Sequence, residues 1–129
     1  MPGFASNSSA NDPTAFALAA DTNWDEVVPA LDKTGAVPDR VKAGYKSRRW
    51  VGGKVRNTDS ATHVVELRTN DGSATNVFES VSIPAGEIAV FTDEDDGLNL
   101  ARSQALELRS TDAPTADKVI GIMYYRDEK

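Results

Sequence analysis

The single histidine, His63, is the first residue to test for catalysis, because an imidazole titrates near neutral pH and can serve a hydroxyl or thiol nucleophile as general base. It stands in His63-Val64-Val65-Glu66-Leu67-Arg68, where alternation places it on one strand face with Val65 and Leu67. A histidine in that setting packs or lies on the surface. The chain has no cysteine, and the sequence offers no persuasive nucleophile–histidine–acid set, so histidine catalysis is not expected. Glycosidase chemistry needs two carboxylates facing each other across about 5–10 Å, one with a raised pKa. The 20 acids include none whose context predicts burial, although a carboxylate pair in a β-sandwich hydrolase stays open as an alternative. Val51-Gly52-Gly53-Lys54 fits neither the phosphate loop nor the dinucleotide fingerprint, for want of the glycine spacing and the following Ser or Thr. The acidic run Asp93-Glu94-Asp95-Asp96-Gly97 offers hard oxygen ligands suited to calcium or magnesium. Its glycine is at the fifth place instead of the sixth and no glutamate closes the loop, so a solvated loop is expected. The sequence thus predicts no enzyme, no metal site and no cofactor.

A different chemistry is carried by residues 40–56. Seven cations and no acid fall there, whereas residues 1–39 sum to −5 and residues 57–129 to −8, within a total of −6. Arg40, Lys42, Lys46, Arg48, Arg49, Lys54 and Arg56 are interleaved with Tyr45 and Trp50, and these nine are the candidate partner-binding residues. Cations with stacking rings suit a phosphate backbone. A pI near 4.7 opposes long-range attraction to a polyanion, so the favoured partner is an acidic protein surface, such as the 93–96 loop of a neighbouring copy or the face of a larger scaffold.

The elements that would hold these residues are strands. With 129 residues and 40% hydrophobic content the chain suits one domain with one core. No apolar run nears the roughly 20 residues that cross a bilayer and no secretory signal opens the sequence, so a soluble chain made in a reducing cytoplasm is expected. Residues 1–13, rich in Ser, Asn, Ala and Pro, read as a flexible N-terminal arm, and 14–129 as the domain. Strands are expected at 14–20, 49–55, 63–68, 77–83, 88–91, 106–109 and 119–125, with a strand or helical turn at 24–29. Gly52-Gly53 suggests a bulge, Asn70-Asp71-Gly72-Ser73 a hairpin turn, and Ile83-Pro84-Ala85-Gly86-Glu87 a reversal with proline second in the turn. Val77, Val81 and Ile83 are expected on one face. The run 119–125 is apolar on both sides, as in a central strand or one covered by another subunit. Six to eight short strands without helical periodicity predict an all-β antiparallel sandwich or jelly roll, an SH3-like or oligonucleotide-binding barrel being the alternative.

The order Asn57-Thr58-Asp59-Ser60-Ala61, Val64-Val65-Glu66-Leu67, Ile83-Pro84-Ala85-Gly86-Glu87 and the closing Val119–Asp127 strand resembles the small jelly-roll virion proteins of tailed bacteriophages, the capsid decoration or cement proteins. The resemblance covers about 75 residues as a pattern of strands and turns without a diagnostic motif. It implies a non-enzymatic subunit of a virus particle, assembled in the host cytoplasm, that trimerises and clamps capsid subunits with an N-terminal arm reaching over the shell. A carbohydrate- or ligand-binding sandwich using Trp24, Trp50, Tyr124 or Tyr125 as a ring platform is the competing function.

Overall fold

In a computed structural model, which describes residues 11–33 and 40–129, alternating sequence becomes nine antiparallel strands. They are β1 (Asp12–Ala17), β2 (Asp25–Val28), β3 (Ser47–Asn57), β4 (His63–Asn70), β5 (Thr75–Ile83), β6 (Ile88–Thr92), β7 (Leu98–Leu100), β8 (Ala105–Ser110) and β9 (Val119–Glu128), with one helical turn, α1 (Asp93–Asp96), after β6. One sheet runs β1-β9-β3-β6 with β7 also on β3, and the other runs β2-β8-β4-β5.

β6 pairs with Gly52–Arg56 and β7 with Arg48–Trp50, both antiparallel to β3, so the two are one edge strand from which residues 93–97 loop out. Counted so, eight strands wind through two four-stranded sheets in the order of a jelly roll, and the expected sandwich is the observed fold. The core lies between the sheets. Trp50, Val55, Phe91, Val119 and Met123 come from one inner face, and Val27, Val28, Val65, Leu67, Leu106 and Leu108 from the other.

Glycine permits a close approach at the centre of β3. The ladder with β9 slips at Val51, which is passed over between the Trp50–Tyr125 and Gly52–Tyr124 pairs, and Gly52 takes φ +112. A Cβ at Gly52 would sit on the Phe91 carbonyl oxygen, and one at Gly53 on that of Ile122. The slip turns Trp50 inward, 1% exposed, in place of Val51.

Several expected boundaries move. Asp12 and Pro13, assigned to the arm, are the first residues of β1, where they pair with Tyr125 and Tyr124. Proline is tolerated there because β1 is an edge strand with one unpaired side. Of the rest of the expected arm, residues 1–10 lie outside the described residues. Val77 leaves the face of Val81 and Ile83 because the β4–β5 ladder skips Phe78, so that Val77 pairs with the outward Arg68 and is 50% exposed. Proline stands first, not second, in its reversal: Glu87 N–H donates to the Pro84 carbonyl, and Gly86 at φ +80 supplies the third position of a type II turn. The expected acidic loop is α1, whose N-cap Thr92 accepts from the Asp95 N–H.

Candidate interaction surface

The outer face of the β1-β9-β3-β6 sheet is set by register. One row across it reads Ala17, Ile120, Arg56, Ile88; the next Ala15, Ile122, Lys54, Val90; the next Pro13, Tyr124, Gly52, Thr92. Val90 is 55% exposed, Ile88 40%, Ile120 37% and Tyr124 37%. These are four of the six large exposed apolar side chains among the described residues, and the other two, Val77 and Phe78, lie on β5. A shallow groove of about 390 Å³ runs over this face between Ala15, Ile120, Ile122 and the stems of Lys54 and Arg56. Among the described residues, neither cation has an ion-pair partner.

The outer face of the other sheet is built oppositely. Glu66 pairs with Arg109 at 2.8 Å and Arg68 with Glu107 at 2.6 Å, each across neighbouring strands. Trp24 lies against both guanidinium groups, 4.3 Å from that of Arg68 and 4.8 Å from that of Arg109. Cross-strand pairs of opposite charge with aromatic cover make a face that water can wet.

The basic segment is dispersed instead of forming one patch. Arg48 is 5% exposed and Asp127 is fully buried; Arg48 Nε donates to Asp127 Oδ1 at 2.6 Å, Nη2 to Oδ2 at 2.9 Å, and Nη1 to the Pro29 carbonyl at 2.7 Å. Its guanidinium stacks 4.1 Å from the centre of the Tyr125 ring. Burial pushes the Tyr125 phenol above its ordinary pKa. Arg40 bridges Asp127 and Asp12 at 3.1 and 3.2 Å and lies over Tyr45, whose other neighbour is Lys129. Arg49 donates to Asp93 at 2.8 Å and to Asn99, so the 93–96 segment it was expected to meet on a neighbour is met within the chain. Lys42 and Lys46 are exposed, Trp50 is core, and Lys54 and Arg56 alone carry the segment's charge onto the apolar face. Of the four rings offered as a platform, Trp50 and Tyr125 are buried, Trp24 is stacked by arginines on one outer face, and Tyr124 is exposed on the other.

His63 is 3% exposed, with Asp59 2.9 Å from Nε2 and Asp112 3.2 Å from Nδ1. Burial favours the neutral ring, but hydrogen bonds and charge from Asp59 and Asp112 outweigh it and raise the pKa above the usual histidine value. Asp59 in turn accepts from Thr115 N–H, from His63 and from Ser60 N–H, which hold its carboxyl well below the ordinary range. Ser110 Oγ is 3.5 Å from His63 Nδ1, and Ser110 is 1% exposed. This Ser, His and Asp grouping joins the β3–β4 loop to the β8–β9 loop, with the hydroxyl sealed from substrate. Asn57, fully buried, ties the β3–β4 loop to the end of β5 by donating to the Ala61 and Ile83 carbonyls.

Sequence reading pointed to Ile120 and Tyr124 through the run 119–125 but did not single out Ile88 or Val90. Their signal was the run Ile88-Ala89-Val90-Phe91, apolar on both faces of a strand, a pattern noticed for β9 and equally present in β6.

No family model and no curated protein matches the chain. Among solved structures, the fold is similar to one from Bacillus endospore appendages, described as a family of disulfide-linked pili, with 11% identity over 99% of this chain and 97% of that one and a TM-score of 0.53. It is also similar to the Drosophila NLP core, described for its pentamer formation and histone binding, with 10% identity over 93% of this chain and 98% of that one and a TM-score of 0.47. At such identities the likeness concerns the fold alone.

Proposed function

We propose that this chain is a non-enzymatic structural subunit that works by assembling, and more finely that it decorates and stabilises a virus shell as a homotrimer. The observation that carries the assembly reading is the outer face of the β1-β9-β3-β6 sheet, where Ile120 and Tyr124 on β9 and Ile88 and Val90 on β6 stand exposed on either side of Lys54 and Arg56, while the opposite outer face is covered by ion pairs. An antiparallel sheet facing water on one side normally alternates apolar and polar residues. An outer face this rich in exposed large apolar side chains marks a surface that a partner covers. The virus-shell reading rests on the strand and turn order shared with phage decoration proteins, and the β-sandwich architecture supports it.

Sedimentation equilibrium tests the assembly reading. The wild type is expected to associate above the 13.8 kDa of one chain. Val90→Gln and Ile120→Gln, which change neither the core nor the net charge, are each expected to weaken association about tenfold, since ~1.4 kcal/mol of lost apolar burial is a factor of ten. A wild type that stays at the monomer mass at all concentrations would sink the reading. For the finer part, the mass of the native particle-bound assembly is expected to be three times that of the chain, and another multiple would overturn the trimer.

A further inference from the structure

The two edges of the first sheet, β1 and β6, pair with their neighbours without a slip, whereas the edges of the second are irregular, β2 between Glu26 and Val28 and β5 at Phe78. In an antiparallel ladder, opposed residues alternate between exchanging both backbone hydrogen bonds and exchanging none, so one bond sets the phase of a strand. Leu18 N–H donates to the Val119 carbonyl just past β1, which turns the backbone groups of Thr14 and Phe16 toward β9 and those of Pro13, Ala15 and Ala17 away from it. Asn57 N–H donates to the Glu87 carbonyl just before β6, which turns Ala89 and Phe91 toward β3 and Ile88, Val90 and Thr92 away. Both edges end in the same row, because Pro13 has no N–H and Thr92 donates its own to the Asp96 carboxylate at 2.9 Å. Each edge keeps two residues, Ala15 and Ala17 on β1 and Ile88 and Val90 on β6, whose outward N–H and C=O groups have no partner among the described residues. β6 itself contains no charge and no proline, the usual devices that keep an edge from docking.

We propose that the β6 edge of one copy pairs with the β1 edge of the next, Val90 opposite Ala15 and Ile88 opposite Ala17, through four backbone hydrogen bonds. The two strands already run antiparallel within one sheet, so a second copy set beside the first in the same orientation presents the direction needed. In this register the rows of the outer face continue from copy to copy, and Pro13 meets Thr92, where neither has an N–H to give. Ala15 and Ala17 are small and exposed, so Val90 and Ile88 lean over them toward Ile122 and Ile120 of the next copy, the far wall of the groove. The four acids of α1, which follows Thr92, come to the end of the next copy where β1 begins and where the Arg40–Asp12 pair anchors the segment of Arg40, Lys42 and Lys46. Pairing β6 with β6 about a two-fold axis would also make four bonds, but it sets each α1 beside the other copy's Glu87, acid against acid. A contact between two different edges repeats from copy to copy. This inference rests on the assembly reading above and names what meets the apolar face along its β1 side.

Proline at a residue whose N–H turns outward removes that donor and leaves the ladder within the copy intact, as Pro13 already shows. Ala15→Pro/Ala17→Pro therefore deletes two of the four bonds without changing a charge or a large apolar side chain, and is expected to associate roughly thirtyfold more weakly than the wild type by light scattering. Val90→Pro disables the β6 edge instead. Circular dichroism confirms that both variants fold. At a concentration where the wild type associates, each alone is expected at the monomer mass, and their equimolar mixture at twice 13.8 kDa, because the β6 edge of the first and the β1 edge of the second remain competent. Amide exchange of the wild type needs no variant: the N–H groups of Ala15, Ala17, Ile88 and Val90 are expected to gain protection as concentration raises the mass. Wild-type association of Ala15→Pro/Ala17→Pro, a mixture that stays monomeric, or a rise in mass with no gain in protection overturns the edge contact and leaves the assembly reading standing. A monomeric wild type overturns both.

Discussion

Replacing Asp127 with alanine should be among the most damaging single changes in the protein, and its cost can be worked from the geometry. The carboxylate is fully buried and receives both Nε and Nη2 of Arg48 in a two-point pair, with Arg40 as a third donor at 3.1 Å. Removing it leaves the Arg48 guanidinium, itself 5% exposed, without its anion. Breaking a buried pair from one side costs about 3–5 kcal/mol, most of it the stranded charge. Arg48→Met alone strands Asp127 less completely, because Arg40 still reaches it, so about 3 kcal/mol is expected from the same source. The double variant Arg48→Met/Asp127→Leu removes both charges. It loses the bond to the Pro29 carbonyl, about 1 kcal/mol, and the stack on Tyr125, about 1 kcal/mol, but strands no Arg48–Asp127 charge. The double change should therefore cost about 2 kcal/mol against a sum of singles near 6–8, a coupling of several kcal/mol. Urea unfolding followed by circular dichroism measures all three. Additive costs, or an Asp127→Ala loss under about 1 kcal/mol, would refute the claim that this pair is buried and strongly coupled.

Stability should also depend on pH through His63. Its folded pKa is raised above 6.5, so its contribution is fully present below 6.5 and is lost as pH rises through the higher folded value. Unfolding free energies between about pH 5 and 8 should show that decline in the wild type and lack it in His63→Gln, and identical profiles would refute the Asp59–His63–Asp112 bridge. Asp59 acts in the opposite sense, its contribution standing above the ordinary carboxylate pKa of 3.8 and fading only in strong acid. Gly72→Ala, at φ +92 with open space around it, should cost about 1–2 kcal/mol for left-handed backbone alone. Gly52→Ala adds a collision with the Phe91 carbonyl and should lower the thermal midpoint well beyond that, so equal midpoints would show that β3 and β6 are not in close approach.

The sandwich was legible in the sequence because alternation, turn residues and strand spacing all report local geometry. The strand expected at 63–68 is β4, and the one expected at 119–125 is β9, extended to Glu128. Bulges were the main source of error. One skipped residue, Phe78, turns Val77 to the outside and leaves no mark in the periodicity of so short a strand, whereas the bulge expected at Gly52-Gly53 is present, and what the sequence did not tell is that it skips Val51 and so turns Trp50 inward. The basic segment misled for another reason: its charge is local in sequence, but its partners are not. Asp127 is 79 residues from Arg48 and Asp93 is 44 from Arg49, so only the fold shows that these cations are already engaged. Reversing Arg48 would therefore attack the core and not an interface, whereas Lys54 and Arg56, indistinguishable from it in sequence, are the pair left for a partner.

The two outer faces together say how such a chain must assemble if it does. Over β8 and β4, every outward charge shown at the centre is matched across the ladder and capped by Trp24, which leaves little for a neighbour to gain. Over β9, β3 and β6, the outward residues are aliphatic with two unmatched cations, and covering them releases water from apolar surface at about 25 cal/mol per Å². A chain with no cysteine cannot lock its copies covalently by disulfides, as the structurally similar Bacillus pili are described as doing. Its contacts have to hold by apolar burial and charge matching alone, which makes them reversible and concentration-dependent. Stable attachment then requires several such contacts at once, and a closed ring or a multivalent shell supplies them where a single pair would not.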